Sequence, residues 1–132
     1  NIKSIENIDI FATSTKREKN LTENFKFKNF LTKSSQLKKR YDLIINASSA
    51  GMSKDNKINR NILYLVKRAS GVIDIVYNPI ETDLLKEAKK HSVKSSNGLK
   101  MLVEQAKPSY ERWCGNKIKI DNEIYQKLLR NI

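Results

Sequence analysis

Cysteine, proline, glycine and tryptophan are scarce in this chain of 132 residues, which holds one, two, four and one of them, together with a single histidine. The lone Cys114 cannot close an internal disulfide or build a cysteine metal cluster, which fits a reducing compartment and predicts a cytoplasmic protein. Long apolar runs are also missing. The longest are short stretches such as Leu43-Ile44-Ile45 or Ile62-Leu63 to Leu65-Val66, far below the roughly 20 residues a membrane-spanning helix requires, so no membrane partner is expected. The opening Asn1-Ile2-Lys3-Ser4-Ile5-Glu6-Asn7 has neither an apolar h-region nor a small-residue cleavage site, which argues against secretion. It begins with Asn rather than Met, which predicts further residues upstream. Internal repeats, low-complexity tracts and Gly/Ser linkers are absent as well, so one domain at most is expected.

Positive charge, by contrast, is abundant: 26 Lys+Arg against 14 Asp+Glu give a formal net charge of +12. Such a balance raises nucleic acid as a partner, because clustered cations displace counterions from a phosphate backbone. Of the 26, however, 20 are lysine and 6 arginine, whereas phosphate and base readout favour the guanidinium fork. The lysines are scattered among 15 Ile and 14 Asn, a compositional bias that predicts a solvated basic surface and no nucleic-acid partner.

Hydrophobic period then gives the order of elements. Ile8 to Ala12 is short and β-branched, as a strand is; Thr15 to Phe25 follows as a helix with Ser14 or Thr15 at its N-cap; Lys26 to Phe30 alternates as a second strand. Ser34 to Lys39 is a polar connection or a single helical turn. The unbroken run Asp42-Leu43-Ile44-Ile45-Asn46 predicts a strand covered on both faces. Ile58, Ile62, Leu65, Val66 and Ala69 recur at helical steps, with Gly71 as the stop. Val72 to Tyr77 is again a strand, closed by Asn78-Pro79, and Leu84, Leu85 and Ala88 mark a helix capped by Thr82. A weak strand at Val93 to Ser95 precedes a helix from Gly98 to Trp113 that Pro108 interrupts, and a last helix runs from about Asn122 to Arg130. Strands alternating with helices predict an α/β fold around a parallel sheet.

Ligands of such sheets bind beyond the carboxyl ends of the strands, so the residues that follow each apolar run are the candidates. Three stretches stand out: Asn46-Ala47-Ser48-Ser49-Ala50-Gly51-Met52, Tyr77-Asn78-Pro79-Ile80-Glu81-Thr82, and Asn97-Gly98-Leu99-Lys100-Met101-Leu102-Val103-Glu104-Gln105. Small residues in the first admit a ligand to the backbone. The second sets a phenol at a strand edge. In the third, Gly98 opens a helix whose N-terminus favours anions. His91 reads as a helix cap, Cys114 as a small hydrophobe, Tyr110 and Trp113 as core, and Lys38-Lys39-Arg40 as a solvated face. Asp74, set within an apolar strand, is expected to pair with backbone or with a cation.

Taken in order, with Asp42 to Asn46 before the first stretch, Asp74-Ile75-Val76 before the second and Trp113-Cys114-Gly115 after the third, these motifs resemble the carboxyl-terminal part of shikimate dehydrogenases. The resemblance runs from about residue 8 to the end. It implies a Rossmann-like parallel sheet with helices on both faces, followed by C-terminal helices, in which residues 1–132 form a partial NADP-binding domain. No G-x-G-x-x-G occurs in the chain, so the family's first strand and Gly-rich turn are expected upstream, as is the amino-terminal substrate domain with its catalytic Lys and Asp. No catalytic residue is therefore expected in this chain and no metal is implied.

The resemblance further implies that Tyr77 and Gln105 reach the polar groups of the substrate, shikimate or 3-dehydroshikimate. Ile75, Gly98 and Met101 would line the nicotinamide end of NADP, while Asn46, Ser48 and Ser49 border the dinucleotide. Where the family has Asn-Arg-Thr, this chain has Ala12-Thr13-Ser14, with Lys16 and Arg17 following as the cations for the 2′-phosphate. Lys100 occupies the place of a second family glycine. The implied activity is NADPH-dependent reversible reduction of 3-dehydroshikimate to shikimate, in chorismate biosynthesis, by a complete enzyme that could be a homodimer. Two alternatives stand beside it: a quinate/shikimate dehydrogenase using NAD, and a non-catalytic basic module that binds nucleotides or nucleic acid.

Overall fold

The computed structural model describes residues 8–11, 30–31 and 33–130, which fall into two compact units divided after Lys39. In the first unit, β1 (Ile10–Phe11) pairs in parallel with β2 (Phe30–Leu31), Ile10 opposite Phe30 and Phe11 opposite Leu31. The helix expected over Thr15 to Phe25 lies outside the described residues. A 3-10 turn at Ser34–Gln36 realises the single helical turn, held by the Lys33 N–H donating to Gln36 Oε1 at 2.9 Å. Lys38 Nζ lies 3.1 Å from Asp9 Oδ2.

The second unit holds three parallel strands in the order β3 (Leu43–Asn46), β4 (Gly71–Asp74) and β5 (Lys94–Ser96). The crossovers are α1 (Arg60–Val66) and α2 (Asp83–Lys90), and α3 (Leu99–Cys114) and α4 (Asn122–Leu129) complete the chain. Val72 packs with Ile58, Val66, Leu84, Leu85 and Ala88 into the core, flanked by the partly buried Ile62, Leu63, Val93 and Ile44, its partner across the ladder. The two leucines and the alanine of α2 share one helical face, which is why eight residues suffice to seat it on the sheet. Its ends are chemically matched: Thr82 Oγ1 accepts from the Leu85 N–H at 3.3 Å, Asp83 occupies the first turn, and Lys89, Lys90 and the capping His91 gather at the C-terminus. His91 Nε2 lies 2.9 Å from Glu87 Oε1, so the surface-cap reading of this histidine holds.

Several expectations are corrected. Gly71 does not end α1, which stops at Val66; Gly71 opens β4, because the N–H groups of Ser70 and Gly71 both donate to Asp42 O, at 3.1 and 3.0 Å, and draw the chain into the ladder. β4 ends at Asp74 rather than at Tyr77, since the Val76 N–H is taken by the Asp74 side chain instead of by a neighbouring strand. The unbroken apolar run of β3 is not covered on both faces: Leu43 and Ile45 are 48% and 56% exposed, and Ile73 beside them on β4 is exposed too. Pro108 does not interrupt α3, which continues through it; the carbonyl left without a proline donor is that of the exposed Glu104, within reach of water. Tyr110 and Trp113 are exposed, Trp113 at 82%, because the buried stripe of α3 runs through Leu99 and Val103 instead. Cys114 is exposed rather than packed.

Candidate functional site

Because β3, β4 and β5 are parallel, their carboxyl ends emerge on one side, and the three candidate stretches leave the sheet together. Backbone hydrogen bonds join them directly. The Ile75 N–H donates to Asn46 O at 3.1 Å, and the Gly98 N–H donates to Val76 O at 3.2 Å. Gly98 is buried, and a Cβ built on it would lie 1.8 Å from the carbonyl oxygen of Ile75, so α3 begins in backbone contact with the segment after β4. The glycine is thus demanded by a crossing of main chains.

Under this rim lies a buried polar network. Asp74, with no exposed surface, accepts three hydrogen bonds: from Asn46 Nδ2 at 2.9 Å and the Val76 N–H at 3.0 Å on Oδ1, and from Thr82 Oγ1 at 2.6 Å on Oδ2. Asn46 Nδ2 also donates to Ala50 O at 2.9 Å, while its Oδ1 accepts from the Ser48 N–H at 3.2 Å and from the Ser48 hydroxyl at 2.7 Å. Ser48 Oγ in turn accepts from the Ala50 N–H at 3.2 Å. The direction of every link follows from obligate donors. A backbone N–H can only donate, so Asn46 must turn its oxygen to Ser48 and its amide hydrogens to Asp74, and Thr82, accepting from Leu85, has its own hydrogen free for Asp74.

The turn after β3 is completed by Gly51, at a φ of +94°, whose N–H donates to Asn56 O at 2.6 Å, while Asn56 Nδ2 reaches Ser49 O at 2.8 Å and Ser49 Oγ at 3.1 Å. Gly51→Ala should cost about 1 kcal/mol of stability through its left-handed backbone alone, since the added methyl would meet Thr82 side-chain atoms at ordinary contact distance. Denaturant midpoints of the two proteins measure it; an unchanged midpoint would contradict the assignment.

The sequence-predicted residues therefore divide. Asn46, Ser48, Ile75, Tyr77 and Gly98 are brought together on the rim; Tyr77, 38% exposed, follows Val76 directly. The Asn46 amide and Ser48 hydroxyl are engaged within the turn, so they shape it. Ser49 is exposed beside them, and Met101 is exposed in the first turn of α3. Gln105, also exposed, stands about two turns beyond Gly98 on the same helix. Ser14, Lys16 and Arg17 lie outside the described residues. Sequence reasoning gave Thr82 as a cap and Asp74 as a partner of backbone or of a cation; the hydrogen bonds bear out the backbone partner, Val76, and add the Asn46 and Thr82 side chains, which it missed. The available signal was a lone carboxylate amid Val72-Ile73-Asp74-Ile75-Val76.

A shallow cavity of about 460 Å³ is lined by Ile80, Glu81, Leu85, Lys89 and Ser92 to Asn97, with Lys89 Nζ 3.1 Å from Glu81 Oε1 beside it. It takes Ile80, Glu81 and Asn97 from the second and third stretches, but none of Asn46, Ser48, Ile75, Tyr77 and Gly98 lines it. Among the described residues no group of three or more His, Cys, Asp or Glu could hold a metal ion, and no helix is long and apolar enough to cross a membrane.

Comparison with known proteins gives this rim a context. The shikimate dehydrogenase (NADP(+)) of Bacillus subtilis strain 168 is 37% identical over 120 residues, 86% of this chain and 42% of that protein. The chain is homologous to part of the shikimate dehydrogenases. A second relative of the same name, from Methanococcus maripaludis strain C6, is 44% identical over 80 residues, 60% of this chain and 29% of its own length. In structure, the chorismate mutase/shikimate 5-dehydrogenase fusion protein from Clostridium acetobutylicum superposes with a TM-score of 0.69 at 31% identity, covering 93% of this chain and 45% of that one. The chain thus spans less than half the length of the shikimate dehydrogenases it matches. No protein-family model matches it. The α/β architecture with parallel strands expected from the sequence agrees with that of these enzymes.

Proposed function

We propose that this chain supplies the dinucleotide-binding wall of an NADP-dependent shikimate dehydrogenase, the enzyme that moves a hydride between NADPH and the C3 carbonyl of 3-dehydroshikimate. The observation that carries this reading is the joining of Asn46, Ile75 and Gly98 at the carboxyl ends of adjacent parallel strands, where an α/β sheet takes its ligand. On this reading Ile75, Gly98 and Met101 face the nicotinamide end, Ser49 and the turn shaped by Asn46 and Ser48 border the rest of the dinucleotide, and Lys16 or Arg17 with Ser14 meet the 2′-phosphate. Tyr77 and Gln105 present a phenol and an amide to the hydroxyl-rich substrate. NADPH supplies the hydride; this chain's residues bind and orient it. The Gly-rich pyrophosphate turn and the Lys and Asp that manage the proton come from residues outside these 132.

Hydride transfer needs donor and acceptor in near-attack contact between two walls, so this chain alone should bind dinucleotide without reducing 3-dehydroshikimate. Calorimetric titration with NADP+ and with NAD+ tests the reading. Saturable binding with NADP+ the tighter is the expected result. Tighter NAD+ would favour the quinate/shikimate alternative, for which the absence of the family's Asn-Arg-Thr at Ala12-Thr13-Ser14 speaks. No binding of either would contradict the proposal. If instead the net charge of +12 served nucleic acid, a gel shift would show a complex falling steeply with salt; none is expected at moderate salt.

A further inference from the structure

We propose that Asp74 is a positioning residue that locks the two sides of the rim to each other: one buried carboxylate sets both the turn after β3 and the segment after β4. The inference rests on the dinucleotide-wall reading for its functional consequence, but its geometry stands alone. Through Asn46 the carboxylate fixes the amide whose oxygen holds Ser48, and through Ser48 the Ala50 N–H. Through the Val76 N–H it bends the chain out of the ladder just before Tyr77, and through Thr82 it anchors the start of α2. The three partners lie 28 positions before Asp74 and 2 and 8 positions after it, with this one carboxylate as their common acceptor. All three links need Asp74 to accept. An apolar side chain of similar size would leave Asn46 Nδ2, the Val76 N–H and the Thr82 hydroxyl buried with one partner fewer, and both sides of the rim would loosen together.

Asparagine is the informative conservative variant. Its carbonyl oxygen can keep the Asn46 and Val76 bonds, while the Thr82 hydroxyl loses its acceptor and that one link survives only reversed, with the amide donating. Asp74→Leu removes every link. A residue that merely stabilised the fold would change the exchange of all protected amides in common; a positioning residue changes those of the rim selectively.

Amide hydrogen exchange by NMR on the full chain separates these cases. In Asp74→Leu, exchange at Ser48, Ala50 and Val76 should rise about tenfold or more relative to the Val72 and Ala88 amides, the cost of a buried donor losing its acceptor; Asp74→Asn should restore most of the protection. Should Asp74→Leu fail to fold, Asn46→Ala serves instead: Ser48 and Ala50 should lose protection while Val76, still bonded to Asp74, keeps it. Uniform changes, Asn behaving as Leu, or Val76 responding to Asn46→Ala as strongly as Ser48 does would each overturn the proposal. Titration of the same samples with NADP+ adds the functional arm, in which Asp74→Leu should weaken binding about tenfold and Asp74→Asn should not. If the parent chain binds no NADP+, the proposed function fails while the exchange pattern still decides on Asp74.

Discussion

Gly98→Ala is expected to remove about 4 kcal/mol of folding free energy, most of the stability of a domain at the low end of the ordinary range, as read from denaturant unfolding followed by circular dichroism. The reason is a distance. The added methyl would stand 1.8 Å from Ile75 O, 2.4 Å from Ile75 C and 3.0 Å from Ile75 Cα, all main-chain atoms of the segment that follows β4. A side chain could rotate away; a backbone fixed by the Ile75 N–H bond to Asn46 O and the Gly98 N–H bond to Val76 O cannot, without breaking both. Relief therefore means withdrawing α3 from the sheet and uncovering Leu99 and Val103, which are buried. A loss below about 1 kcal/mol, the ordinary cost of an overpacked site that relaxes, would show that α3 can move freely against β4.

Asn46→Asp, a change of one amide to a carboxylate, is expected to cost about 3 kcal/mol or more near neutral pH. Asn46 Nδ2 now donates to Asp74 Oδ1 at 2.9 Å, in a place where Asp74 is fully buried and Asn46 nearly so. The substitution would replace a donor by a second acceptor and set two carboxylates against each other, with Ser48 still presenting only hydrogens to the far side. Two carboxylates so close retain a proton between them in the folded state, whereas each is free to ionise in the unfolded chain. The unfolded state thus gains more from rising pH, so the deficit relative to the parent should be largest at neutral pH and shrink as pH falls toward about 4. Parallel thermal melts of parent and variant across that range measure it; a pH-independent deficit would mean that the two side chains separate in the variant.

How far the sequence revealed this arrangement depended on the range of the interaction. Thr82 as cap, the α2 face of Leu84, Leu85 and Ala88, and His91 at the helix end were legible because their partners lie within one turn. The apolar runs of β3 and β4 were legible as strands, but not their edges. β4 stops at Asp74 because Asp74 itself captures the Val76 N–H, a competition that periodicity cannot express. Gly71 and Gly98 were both visible as special positions and both were given local explanations, a helix stop and ligand access. Their actual constraints are tertiary: bonding to Asp42 for the first and the crossing of Ile75 for the second. Trp113 and Tyr110 show the opposite failure, since an apolar stripe on α3 predicted burial and the structure leaves both exposed. The motifs shared with shikimate dehydrogenases marked the stretches that follow β3 and β4 and open α3, yet only coordinates showed that Asn46 and Asp74, 28 positions apart, touch.

The central claim, that the carboxyl ends of β3, β4 and β5 form a wall for a dinucleotide, is tested most directly by recording amide chemical shifts of the 132-residue chain during a titration with NADP+. The account predicts saturable shifts concentrated at Ser48, Ser49, Val76, Gly98 and Met101. Shifts absent at saturating nucleotide, or spread over the lysine-rich surface and abolished by moderate salt, would contradict it.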